Sequence, residues 1–173
     1  LSTETKDLPT ISEWRALLPL LTDSERVEMD RLIPWESLPS TDRPSLLDFA
    51  ARVWPHYRPA AVHAFIAARL ETFLAACERE ESPRLLLAMP PRHGKSLLAS
   101  ILLPAYTLGL HSDWPIIHAS YSADLSNDFS RQVRNLLREQ EYQACFPGVL
   151  PASDSASVHR WGIQDRRGVF VSV

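Results

Sequence analysis

The chain has little cysteine, no long apolar run and no excess of positive charge, and each shortage excludes a class of protein. Its two cysteines, Cys77 and Cys145, are far apart and fit no metal-binding pattern, so two reduced thiols of a cytosolic protein are predicted. The apolar runs are too short to cross a bilayer, and no secretory signal is visible. A net charge of −3 gives no overall argument for nucleic-acid binding.

Lysine is also scarce. The 173 residues contain 18 lysines and arginines together, and only Lys6 and Lys95 are lysines. The composition is otherwise that of a folded protein, because 45% of the residues are hydrophobic and 23% are charged. This length and composition predict one domain, or one domain with a helical arm.

Lys95 lies in the stretch with the clearest chemical meaning. Residues 84–88 are apolar and predict a short strand, and residues 97–103 predict a buried helix. Between them, residues 89–96 read Met-Pro-Pro-Arg-His-Gly-Lys-Ser. Strand, loop and helix in this order are typical of a phosphate-binding loop, in which backbone N–H groups and a helix N-terminus face a polyphosphate. An ordinary turn between two core elements is the alternative.

The loop matches the pattern G-x-x-x-x-G-K-[ST] except at its first glycine, where Met89 stands. Gly94 lets the main chain approach phosphate closely. Lys95 is predicted to reach the β- and γ-phosphates, and the Ser96 hydroxyl is predicted to hold Mg²⁺. The predicted cofactors are therefore ATP and Mg²⁺.

The remaining pattern predicts mainly helices before the loop and alternating strands and helices after it. Residues 1–44 predict an N-terminal helical arm and linker, and residues 45–173 predict the ATPase-like domain. The predicted elements are helices over 10–20, 21–33, 45–54, 60–80 and 122–138, strands over 115–121 and 168–173, and irregular chain over 141–157. Strand, loop, helix, strand, helix, strand is the beginning of a parallel α/β sheet.

Several motifs in this order resemble a known family. They are Pro-Pro-Arg-His-Gly-Lys-Ser over 90–96, Ala-Ser-Tyr-Ser-Ala-Asp-Leu over 119–125, and Phe-Ser-Arg over 129–131. Together they resemble the large terminase subunit of tailed phages and prophages, over roughly residues 45–173. That resemblance implies a P-loop NTPase-type sheet, the ATPase part of a motor that drives DNA into a capsid.

The resemblance also implies partners and a place of action. These are double-stranded DNA, a small terminase subunit, a portal protein and a homo-oligomeric ring, in the cytoplasm of a bacterial host. The family carries an acidic pair on a strand expected after the Val173 region, followed by a nuclease domain, and neither is present in these 173 residues. We expect a partial ATPase domain that binds nucleotide weakly and turns it over poorly or not at all.

Residues near the loop have weaker assignments. The family has a functional arginine in or near this loop, so Arg92 is a candidate donor to the γ-phosphate, with a solvated arginine as the alternative. His93 is expected to shape the loop. The predicted nucleotide contacts are Pro91, Arg92, His93, Gly94, Lys95, Ser96 and Leu97, with Arg92 and Lys95 as catalytic candidates and Ser96 as the metal ligand.

Four further groups have both a functional and a plain structural interpretation. Ser120 and Tyr121 could contact phosphate or simply end a strand. The arginines of the following helix could meet DNA or a neighbouring subunit, or form a solvated face, and its two aspartates could bind metal or cap the helix. Tyr57 or Arg58 could stack on adenine, by analogy with related motors. The helix residues concerned are Arg131, Arg134, Arg138, Asp124 and Asp128.

Two other functions compete with the packaging motor. One is another P-loop ATPase of the helicase-like kind. The other is a non-catalytic prophage remnant that acts only as an interaction module. The coding sequence after Val173 would distinguish them, because a strand ending in two acidic residues supports the motor and a stop codon supports the remnant.

Overall fold

The computed structural model of the chain describes residues 44–153 and 157–173. The helices predicted over 10–20 and 21–33 lie outside the described residues, as does almost all of the predicted linker. The described residues divide into two compact units. The first contains residues 44–48 and Tyr57–Leu85, and the second contains Phe49–His56 and Leu86–Val173, apart from residues 154–156. The predicted boundary between residues 44 and 45 stays a prediction.

The described chain is mixed α/β, as predicted, and its longest elements lie close to their predicted places. None of its helices is both long enough and apolar enough to cross a membrane. The helices are α1 (Leu46–Val53), α2 (Ala61–Glu78), a π-helical segment (Leu97–Leu102) that runs into α3 (Leu103–Leu110), α4 (Ala123–Leu136) and α5 (Gln140–Cys145), and the strands are β1 (Ile116–His118), β2 (Arg160–Gly162) and β3 (Val169–Ser172).

The first unit is built around α2. The His63 side chain caps the beginning of α2. The backbone N–H of Ala60 donates to Nδ1 of His63 at 2.8 Å. Its inner positions are mostly apolar, with Ile66, Leu70 and Leu74 buried. The helical spacing predicts core packing for seven residues of this helix, and it was right for these three but wrong for Val62 and Phe65, which are exposed.

The second unit contains a three-stranded sheet with the order β1-β3-β2. β3 is parallel to β1, with Phe170 opposite Ile116, and antiparallel to β2, with Phe170 opposite Trp161. The sheet is therefore mixed, and the purely parallel arrangement was wrong for the described residues. The sequence pattern missed β2 because that strand is only three residues long and forms by pairing with β3.

Helix α4 packs on this sheet through serines. Ser126 and Ser130 are fully buried, and their hydroxyls donate to the carbonyl oxygens of His118 at 3.1 Å and Val158 at 2.6 Å. The indole N–H of Trp161 donates to the Ser130 oxygen at 2.9 Å. Small side chains let the helix approach the sheet closely, and their hydroxyls satisfy polar groups that would otherwise be buried alone.

Four aromatic rings pack against one another in the second unit. The rings of Phe49, Tyr106, Tyr142 and Phe146 lie with centroids 5.4 to 5.9 Å apart. The Tyr142 hydroxyl donates to the carbonyl oxygen of Ala105 at 3.0 Å, so the polar end of this buried ring is satisfied. Because α5 supplies Tyr142, the prediction of irregular chain over 141–157 was wrong at its beginning.

Candidate nucleotide-binding site

The segment before the loop does not form the predicted strand. Residues 84–88 have no regular secondary structure, and the sheet contains only β1, β3 and β2. Leu86 is 92% exposed and Leu85 is also exposed. The prediction was wrong for the described residues because a strand needs a hydrogen-bonded neighbour, and no described strand pairs with this segment.

The loop that follows has an unusual backbone. Arg92 and Gly94 both have positive φ, at 64° and 77°. This conformation suits glycine but costs about 1–2 kcal/mol for a residue with a side chain, so Arg92 is strained. Left-handed residues that alternate with ordinary ones turn successive N–H groups toward one side, which is the geometry of an anion-binding concavity.

The His93 side chain contacts the backbone of its own loop. Its Nδ1 lies 2.8 Å from the carbonyl oxygen of Pro91, at a distance where a protonated Nδ1 donates a hydrogen bond. This contact spans Arg92, the strained residue. The prediction that His93 shapes the loop agrees with this contact.

A helix begins directly after Gly94. Lys95 and Ser96 have helical conformation, and the N–H of Leu98 donates to the Gly94 carbonyl oxygen at 3.0 Å. N–H groups in the first turn of a helix have no acceptor within the helix, and the helix dipole adds positive potential at this end. The side chains of Arg92, Lys95 and Ser96 are all exposed. The structure thus presents cationic groups, a hydroxyl and first-turn amides in one contiguous place.

The next turns of this helix form a π-helical segment just before Pro104. Pro104 has no N–H, and its ring clashes with the carbonyl four residues earlier in a regular α-helix. The N–H of Leu103 instead reaches the carbonyl oxygen of Leu98, five residues back. Leu98 and Leu102 are fully buried, so packing in the core holds the helix that carries the exposed first turn.

The end of β1 gives a second polar edge in the same unit. The N–H of Ser120 donates to the carbonyl oxygen of Val173 at 3.1 Å, which continues the parallel pairing with β3. Tyr121 is 93% exposed, and Ser122 caps α4 by accepting the N–H of Leu125 at 3.2 Å. Ser120 therefore ends the strand as its structural interpretation predicts, while Tyr121 makes no ring contact among the described aromatic residues.

The arginines of α4 are partly occupied by contacts within the chain. Arg131 forms an ion pair with Asp128 at 2.7 Å, and Arg134 donates to the carbonyl oxygen of Ser157 at 3.0 Å. Burial lowers the pKa of Arg134, and the nearby Arg138 and Arg131 lower it further. The ion pair engages one carboxylate of the Asp124 and Asp128 pair, and no group of three metal-ligating side chains occurs among residues 44–153 and 157–173.

The proposed adenine contacts lie in the first unit. Tyr57 is only 8% exposed, and its ring lies edge-on against His63 with centroids 5.8 Å apart. Burial raises the pKa of the Tyr57 hydroxyl. A ring held in this way cannot stack on a base without moving. Arg58 is exposed and donates to the carbonyl oxygen of its neighbour Tyr57 at 3.3 Å. Cys77 and Cys145 are both half-buried free thiols.

Comparison with known proteins adds no relative: no protein family, no curated protein and no solved structure matches this chain.

Proposed function

We propose that this chain binds a nucleoside triphosphate with Mg²⁺ through residues 91–97, as the ATP-binding part of a phage or prophage DNA-packaging motor. One observation carries the nucleotide part of the proposal. The left-handed residues Arg92 and Gly94 lead directly into a helix whose first turn exposes Lys95 and Ser96. That combination of backbone and side chains suits a triphosphate, because both the amides and the lysine favour negative charge.

The residues of the loop divide the work of holding the nucleotide. First-turn amides, including that of Leu97, would donate to phosphate oxygens, and the Lys95 ammonium would offset the charge on the β- and γ-phosphates. The Ser96 hydroxyl is an oxygen ligand of the kind that Mg²⁺ accepts. Arg92 is exposed next to the loop and supplies a second cation for the γ-phosphate. The Ser96 hydroxyl would hold Mg²⁺, which would supply positive charge to offset that of the phosphates.

Binding without appreciable hydrolysis is the expected activity. Efficient hydrolysis needs a carboxylate that orients the attacking water. Within the described residues, the two parallel strands carry no carboxylate at their carboxyl ends, because β1 is followed by Ala119, Ser120 and Tyr121 and β3 by Val173.

The motor itself is proposed from the resemblance of residues 90–96, 119–125 and 129–131 to the large terminase subunit. In that setting the full protein acts on double-stranded DNA in the bacterial cytoplasm, as a ring with portal and small-subunit partners. The unpaired segment 84–88 favours the competing remnant, because an NTPase sheet normally places the loop at the end of a paired strand.

A titration with Mg²⁺-ATP tests the proposal. Lys95→Ala should raise the dissociation constant by at least about 10-fold, since a hydrogen bond to a charged group is worth about 1.5–3 kcal/mol. Lys6→Ala is the matched control, because it removes the only other lysine. Saturable binding that is lost only in Lys95→Ala supports the proposal. Equal binding by all three proteins, or no binding by any of them, overturns it and favours the remnant.

A further inference from the structure

One carboxylate in the first unit lies where charged groups are rarely found. Glu71 on α2 is 2% exposed, and it is the only charged side chain that is buried in the described part of the chain. It interrupts an otherwise apolar set of inner positions between Leu70 and Leu74. Fully buried glutamates are normally paired with a cation or held by several hydrogen bonds, so this position needs an explanation.

Its one partner is the beginning of another helix. The backbone N–H of Leu46, the first residue of α1, donates to Oε1 of Glu71. The Asp48 amide of the same turn has a local partner, because Ser45 Oγ accepts its N–H at 3.0 Å and donates to the Asp48 carboxylate at 2.7 Å. Glu71 thus completes, from 25 residues away, a cap that the local sequence leaves unfinished.

The second carboxylate oxygen has no such partner. Oε2 of Glu71 is buried and makes no hydrogen bond, and no cationic side chain of residues 44–153 and 157–173 forms an ion pair with Glu71. The nearby carboxylate of Asp48 adds repulsion. A charged Glu71 is therefore stabilised by one amide and the α1 dipole, and opposed by burial and by Asp48.

We propose that Glu71 is a proton-binding site that locks the first turn of α1. With the proton bound, the neutral carboxyl remains buried and Oε1 still accepts from Leu46. Once the proton leaves, the buried charge is relieved when the turn opens and water reaches the carboxylate.

The direction of the pH effect follows from the pKa. Burial and Asp48 raise the pKa of Glu71 from 4.5 to about 7 in the closed form, although the Leu46 amide lowers it. The closed form therefore binds the proton more tightly than an open, hydrated form. Opening should increase as pH rises from about 4.5 to about 7 and level off above that, by up to about 300-fold in total.

Nuclear magnetic resonance of the whole chain tests this lock. The ¹³C shift of the Glu71 carboxyl should titrate near pH 7, and the hydrogen-exchange protection of the Leu46 amide, corrected for intrinsic exchange, should fall between about pH 4.5 and 7 and level off above that. Protection of Val133, buried in the second unit, should stay constant, which shows that the opening is local.

Three variants decide the interpretation. Glu71→Gln keeps an acceptor for Leu46 and cannot ionise, so protection should become independent of pH. Asp48→Asn should shift the Glu71 midpoint to lower pH, because it removes one cause of the raised pKa. Glu78→Gln, an exposed glutamate of the same helix, should change nothing. A Glu71 midpoint near 4.5, or Leu46 protection that falls equally in Glu71→Gln, would overturn the proposal.

Discussion

Two short, mostly apolar segments of this chain have different structures. Residues 84–88 (Arg-Leu-Leu-Leu-Ala) and β3 (Val169–Ser172) were both predicted to be strands. β3 became the centre of the sheet, and its Phe170 is completely buried. Residues 84–88 remain outside the sheet, and Leu86 is almost fully exposed.

The two segments differ in their hydrogen-bonded neighbours and also in β-propensity, because β3 contains two valines and a phenylalanine whereas residues 85–88 are leucines and an alanine. β3 has a neighbour on each side, so its backbone groups are paired in both directions and its side chains are covered. Residues 84–88 have no neighbour among the described strands, and burying them alone would leave backbone polar groups unsatisfied. Glu71 also has an unpaired polar atom, since its buried Oε2 makes no hydrogen bond and burial raises the pKa of its carboxyl.

Truncating one side chain in each segment should give the largest contrast. Phe170→Ala removes a ring that stacks on Trp161 with centroids 5.1 Å apart, and it should lower the free energy of unfolding by about 3–5 kcal/mol. Leu86→Ala should change it by less than about 0.5 kcal/mol, because an exposed side chain loses no packing. Urea denaturation followed by circular dichroism measures both.

A loss of 2 kcal/mol or more in Leu86→Ala would break the comparison. It would mean that this segment is covered in solution, and its pairing would then have to be sought experimentally.

Substitution of two glycines should change the free energy of unfolding by less, and it tests how the chain entering β3 is held. Gly168 leads into β3, and a Cβ at this position would overlap the carbonyl oxygen of Ser112. Gly168→Ala should therefore cost about 2–3 kcal/mol, because backbone must move to make room. Gly148 has open space around it and a φ of 79°, so Gly148→Ala should cost only about 1 kcal/mol of backbone strain.

Thermal unfolding of the two alanine variants, measured side by side, checks that order. Equal melting temperatures, or a lower one for Gly148→Ala, would show that the approach of residue 168 to Ser112 does not position β3.

Much of the fold could be predicted from the local pattern. The helical spacing correctly placed α1, α2 and α4, and Ser122, the first residue of the predicted helix, caps α4 by accepting a first-turn amide. The order of elements correctly predicted that β1 and β3 run parallel. These features depend on neighbours in sequence or on the order of elements, which a single chain displays directly.

Features that depend on distant partners could not be predicted. Nothing near Glu71 indicates that its carboxylate caps a helix 25 residues away. Leu125 and Phe129 are the large apolar residues at this end of α4, but Ser126 and Ser130 are more deeply buried because they bond to His118 and Val158. At the loop, the pattern indicated Gly94, Lys95 and Ser96, while the strained backbone of Arg92 had no signal in the sequence.

The most direct test of nucleotide binding is the amide spectrum of the loop during a Mg²⁺-ATP titration. The account predicts saturable shifts of the Gly94, Lys95, Ser96 and Leu97 amides, because these groups would donate to phosphate. Gly148, which has nearly the same φ as Gly94 but lies outside the candidate site, should not shift. Shifts confined to other residues, or equal shifts at Gly94 and Gly148, would contradict the assignment of this loop as the phosphate-binding site.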